Sequence, residues 1–225
     1  MKQKSLAQKV NMMRAAVMGA NDGILSVAGI VIGVAGATTS NYAVFLAGIS
    51  GMLAGTVSMA MGEYVSVNTQ KDSQKKAVIE QKLSLENDFE KQFEFVKQRY
   101  LEQGIKEELA EKATSEMMGK DPLVTVVREK YGFDPRQFTS PYAAAIASMI
   151  SFPLGSILPL AAILLFPAST RILATFLAVI VALAITGWLA AVLGHANWKH
   201  GVARNVSSGI LTMMVTYVIG VLIGR

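Results

Sequence analysis

The 225-residue chain has no cysteine, which excludes disulfides and thiolate metal sites. Any metal must therefore be held by carboxylates, thioethers, amides, carbonyls or the two histidines, and redox compartment is unreadable. Charge is scarce too. Charged residues make up 16% of the chain and hydrophobic ones 52%, which is too apolar for an ordinary soluble domain. No concentrated basic patch with a reader motif is present, so nucleic acid is excluded as a partner. There is no activated nucleophile, histidine cluster or phosphate-binding loop, and no motif calls for a prosthetic group; the chain does not read as an enzyme. Acids are scarcest where the chain is most apolar: of the 16, only Asp22 and Glu63 fall outside residues 68–140.

What remains is a set of long uncharged stretches, 23–62, 137–170, 172–194 and 205–224. A membrane span needs about 20 apolar residues, and the pattern predicts five, at about 13–37, 42–67, 141–166, 171–194 and 203–224. The start, with Lys2 and Lys4 before an apolar run, imitates a signal peptide. That run is too long and contains an acid, so it reads as an uncleaved first span. Lys2, Lys4, Lys9 and Arg14 precede span one, and Lys199 and Arg204 follow span four; the opposite side has Arg171 and Arg225. The positive-inside rule places the N-terminus and residues 68–140 in the cytoplasm and the C-terminus outside. The expected fold is an all-α integral membrane protein: residues 1–67 hold a tail and spans one and two, residues 68–140 a cytoplasmic three-helix insertion, and residues 141–225 spans three to five.

Residues 68–140 carry 13 Lys/Arg and 14 Asp/Glu. With no Gly or Pro before Gly104, the second span is predicted to continue as one helix to about Leu101. A second helix runs from about Lys106 to Met118, stopped by Gly119. Asp121-Pro122 reads as an N-cap followed by Pro at N1, opening a third helix to about Tyr131. Glu86, Glu90 and Glu94 recur at four-residue steps, where like charges repel unless a cation sits between them. With Glu80 earlier, Glu108 and Glu111 on the second helix and Glu129 on the third, they are candidate ligands for a divalent metal. A solvated surface neutralised by the interspersed bases is the alternative.

Asp22 lies among small and apolar residues, where a carboxylate costs about 2.5–3.5 kcal/mol and usually marks an ion or proton path. Counting from Arg14 and Val67 as the inner boundary, Asp22 and Met59 each sit about 12 Å deep and Glu63 about 6 Å. Met52, Met59 and Glu63 share a helical face. Mixed oxygen and sulfur donors favour a transition metal over Mg²⁺ or Ca²⁺. Gly29, Gly33 and Gly36 extend a stripe from Asp22 and Ser26 and predict close helix packing, with Asp22 facing protein. Pro153 and Pro159 each remove a backbone hydrogen bond inside span three.

Asn21-Asp22-Gly23-Ile24-Leu25-Ser26 and the run from Gly55 to Ser66, with Ser58-Met59 and Gly62-Glu63-Tyr64, resemble the vacuolar iron transporter family in its bacterial form. The likeness continues through Asp72, Pro141 to Ala145 and Leu158-Pro159-Leu160. It implies a five-span homodimer in the lipid bilayer, in a bacterial inner or plasma membrane, with a metal-binding insertion between spans two and three. It further implies that Fe²⁺, and often Mn²⁺, leaves the cytosol in exchange for protons. Asp22 and Met59 match path positions, and Glu80, Glu94 and Glu129 match acids of the insertion. Glu63 and Met52 are added from depth and helical face. The competing expectations are a membrane-anchored metal sensor or buffer and a passive divalent-cation channel.

Overall fold

The computed structural model describes residues 6–224, with side chains from residue 8; Lys2, Lys4 and Arg225 lie outside the described residues. The regular structure is helical: α1 (Leu6–Ala37), α2 (Asn41–Asn87), α3 (Phe89–Glu102), α4 (Glu107–Lys120), α5 (Pro122–Tyr131), α6 (Pro141–Leu165), α7 (Arg171–Leu193) and α8 (Trp198–Ile223). Five of these, α1, α2, α6, α7 and α8, are long and apolar enough to cross a membrane. The described chain divides into two compact units, residues 6–65 with 141–224, and residues 66–140.

In the first unit α1 is the central element, packed against α6, α7 and α8. Its residues Ala15, Ile24, Val27, Ala28, Val31 and Ile32 are buried. Small residues let the backbones meet. A methyl group added at Gly23 would overlap the Phe152 carbonyl of α6, and one at Gly220 would overlap the Gly33 carbonyl of α1. Such stripes let helices pack closely without the hydrophobic driving force that water supplies. Ser156 Oγ donates to the carbonyls of Phe152 (2.8 Å) and Gly23 (3.2 Å), spending its hydroxyl where water is absent. Both Pro153 and Pro159 fall inside α6, which runs unbroken from Pro141 to Leu165. By contrast α2 reaches its neighbours through side chains: Val44 is buried, Gly48 faces Leu160 and Val31, and Gly55 faces the Phe152 ring. Arg171, at the start of α7, is 2% exposed and ties down the α1–α2 turn by donating to Asn41 Oδ1 (2.6 Å) and the Thr38 carbonyl (2.9 Å).

In the second unit the predicted continuous helix to Leu101 is interrupted. α2 ends at Asn87, and Asp88 caps α3 by accepting from the Lys91 amide at 3.0 Å. Asn and Asp side chains compete with the helix for backbone groups, so two in succession can end a helix without Gly or Pro. The break lets the tail of α2 and α3 meet, with Gln81 Nε2 donating to Gln92 Oε1 (2.7 Å) and Lys130 Nζ of α5 donating to Gln81 Oε1 (3.1 Å). A small core forms from Val96, Tyr100, Ala110, Met118 and Val126. The helix expected to stop at Gly119 continues to Lys120. Asp121 then caps α5 by accepting from the Val124 amide (3.0 Å), with Pro122 in the first turn. Gly132, at φ 73°, supplies the left-handed residue that ends α5.

Candidate functional site

On α1, Arg14, Met18, Asp22 and Ser26 recur every four residues and so share a face. The preceding residue of the carboxylate, Asn21, turns the other way: its Oδ1 accepts from Asn205 Nδ2 of α8 (3.0 Å) and Thr186 Oγ1 of α7 (3.4 Å). With Asn21 engaged there, Asp22 faces α2. It is half-buried, and among the described residues its hydrogen-bond partner is Ser26 Oγ at 2.9 Å. No Lys, Arg or His among them lies within ion-pair distance of it.

The space Asp22 faces is a cavity of about 310 Å³ between α1 and α2. Its polar lining is Asp22, Ser26 and Ser58, its sulfur is Met59, and Ile30 and Phe152 supply apolar wall. Gly51 and Gly55 line it as well, and side chains there would run into Ile30 and Phe152 respectively. The donor set is one carboxylate, two hydroxyls and a thioether. That chemistry can hold a partly dehydrated divalent cation, and the thioether tilts it toward a transition metal.

The structure therefore brings Asp22 and Met59 together. Met52, like Met59, packs against the apolar cluster of Val27, Val31, Val44 and Phe152, but it is Gly51 beside it that lines the cavity. Glu63 is one turn beyond Met59 and 6% exposed, with Arg14 Nη2 donating to its Oε2 at 2.9 Å. Sequence reasoning missed Ser58 and the Arg14 partner. No spacing signal was available for the latter, because the contact joins residues 49 apart on two different helices.

The candidate residues of the second unit do not gather into a set of three ligands among the described residues. The proposed Glu86, Glu90, Glu94 stripe needed a single helix, and the break at Asp88 leaves Glu86 on α2 and the other two on α3. Glu80 pairs with Lys76 (3.8 Å) and Glu86 with Lys82 (4.0 Å), both one turn apart on α2. Glu94 accepts from Gln98 Nε2 (2.8 Å). Glu90 and Glu108 are exposed in the first turns of α3 and α4. Lys97 Nζ bridges Glu111 (3.2 Å) and Glu107 (3.6 Å); the Glu111 hydrogen bond is the largest influence raising its pKa. Glu129 accepts from the Tyr100 hydroxyl at 3.4 Å, which also lies 3.1 Å from Met117 Sδ. Burial, then Glu129, raises the Tyr100 pKa. Among the described residues no three His, Asp or Glu side chains converge.

Comparison with known proteins places these features in context. The model of the VIT family matches residues 13–221. The chain is 32% identical over 222 residues to a vacuolar iron transporter of Acanthamoeba castellanii, covering 98% of this chain and 82% of that protein. It is 34% identical over 220 residues to vacuolar iron transporter homolog 1 of Arabidopsis thaliana, covering 97% and 86%. A third relative, vacuolar iron transporter homolog 1 of Oryza sativa subsp. japonica, is 33% identical over 206 residues, covering 91% and 71%.

Proposed function

The chain belongs to the VIT family and is an integral membrane transporter rather than an enzyme, and from that premise we propose that it exports Fe²⁺, and also Mn²⁺, from the cytosol in exchange for protons. The observation that carries this reading is Asp22, a carboxylate without a basic partner among the described residues, sharing a cavity with Met59. An unpaired acid at membrane depth is costly, and a passing cation offsets that cost.

In the proposed cycle residues 68–140 form a cytoplasmic metal-binding insertion whose acids, Glu80, Glu86, Glu90, Glu94, Glu108, Glu111 and Glu129 among them, concentrate cations. Their pairs with Lys76 and Lys82 do not prevent this, because exposed ion pairs are worth only about 0–1 kcal/mol. The cation then passes Glu63 and binds at Asp22 and Met59, with Met52 above them on α2. Protons and metal compete for the same carboxylate oxygens, so proton uptake from outside releases the metal and resets the site. The N-terminus faces the cytosol and the C-terminus the far side of a bacterial inner or plasma membrane. Tyr42, Phe45, Leu46, Leu53 and Val57 leave α2 apolar and uncovered, which supports a homodimer with the paths near the two-fold axis.

In proteoliposomes loaded with an iron-sensitive dye, wild-type protein should take up Fe²⁺ faster with a pH gradient than without, and Asp22→Ala should abolish uptake. Wild-type flux from Asp22→Ala would overturn the mechanism. Gradient-independent flux would make the protein a passive channel, and metal binding without flux a sensor or buffer.

A further inference from the structure

Glu63 and Arg14 are unequal partners. The carboxylate is almost fully enclosed, with 7% of its side chain exposed, whereas the Arg14 side chain is 45% exposed. Burying a carboxylate is costly unless a cation accompanies it, and Arg14 supplies that cation at 2.9 Å. The guanidinium has two further partners: Nη2 donates to Asn11 Oδ1 at 3.1 Å and Nη1 to Met18 Sδ at 3.4 Å. A carboxylate oxygen, an amide oxygen and a thioether sulfur thus converge on one positive group. These are also donor types that a divalent transition metal takes. Met18 lies one turn from Arg14 and one turn from Asp22 on the same face of α1.

We propose that Arg14 is a built-in counter-ion that occupies the cation's place on Glu63, Asn11 and Met18 until an arriving divalent cation displaces it. The proposal rests on the transport reading and adds to it a displaceable gate, with Asn11 and Met18 as ligands of an entrance site. Asymmetric exposure is what distinguishes a gate from a pin. The guanidinium, nearly half open already, is the partner able to swing away, while the enclosed carboxylate stays behind and is stabilised again by the doubly charged ion. Once past the gate the cation meets Met18 and then Asp22, which has no basic partner among the described residues to compete for it.

The test uses the full-length protein in detergent, with Mn²⁺ as the probe and its free signal read by electron paramagnetic resonance. Arg14→Gln removes the competitor and should lower the half-saturating Mn²⁺ concentration about tenfold, the scale of one charge-assisted hydrogen bond. Glu63→Gln strands the guanidinium and should raise it by about as much. The double variant Arg14→Gln with Glu63→Gln should bind more tightly than Glu63→Gln alone, and Arg14→Lys should fall between wild type and Arg14→Gln. Thermal melting of each variant separates loss of fold from change of affinity. Arg14→Gln binding Mn²⁺ as wild type does, or more weakly, would overturn the assignment, as would both single variants and the double variant melting earlier with identical affinities. Wild-type protein that binds Mn²⁺ without moving Fe²⁺ would remove the transport reading and leave the affinity shift to support the gate.

Discussion

The two units handle negative charge in opposite ways. Residues 66–140 hold 14 of the 16 acids, many exposed and paired with lysine or arginine at the surface. The membrane unit holds two, and each has a distinct environment: Asp22 at a cavity with a serine, Glu63 enclosed with an arginine. Where water is plentiful a carboxylate costs little, so its presence says little about its task. Where water is absent a carboxylate needs a reason, and its surroundings reveal which one. Function is therefore easier to assign from two residues in the apolar unit than from 14 in the polar one.

The sharpest way to break that contrast is to remove one acid from each unit. Asp22→Asn should cut Fe²⁺ flux by about 100-fold, the equivalent of roughly 2.7 kcal/mol, whereas Glu80→Gln should change it by less than about threefold. Equal effects from the two would mean that the polar unit's acids are not interchangeable. A packing counterpart comes next. Gly23→Val pushes a side chain into the Phe152 carbonyl and should cost at least 1–3 kcal/mol, read as a lower melting temperature and loss of monodisperse protein. Gly119→Val, with open space around it, should cost far less, roughly the few tenths of a kcal/mol of surface changes.

Smaller again is Asp88→Ala, which removes the cap of α3 and should destabilise the polar unit by about 1 kcal/mol in a thermal melt. The smallest effect concerns Tyr100. Burial and Glu129 both oppose its phenolate, so its folded pKa lies above the ordinary tyrosine value. A group with a raised folded pKa weakens the fold as pH rises from the unfolded value through the folded one, so any loss appears only in that alkaline window. Glu129→Gln should move the ¹³C-tyrosine NMR titration of Tyr100 back toward the ordinary value without reaching it, since burial is the larger cause.

Five apolar spans were legible because each is long and nearly free of charge, and the Asp121-Pro122 start of α5 because cap and proline stand side by side. The break at Asp88 was less so: Asn87-Asp88 is a weaker stop signal than Gly or Pro, and the contact of Gln81 with Gln92 that the bend permits is not visible in the sequence. Met52 shares a helical face with Met59 and both pack on the Val44 and Phe152 cluster, but of the two Met59 alone lines the cavity. The Arg14–Glu63 contact spans 49 residues, and spacing along one helix cannot reveal which residue of another it will meet.

Gly23 follows Asp22 directly, and the place of its first side-chain carbon is already taken by the Phe152 carbonyl. The helix bearing the carboxylate is thus seated by bare main chain against main chain, a contact with no rotamers to adjust. A single hydrogen atom, where any other residue would carry carbon, is what holds the neighbouring acid still.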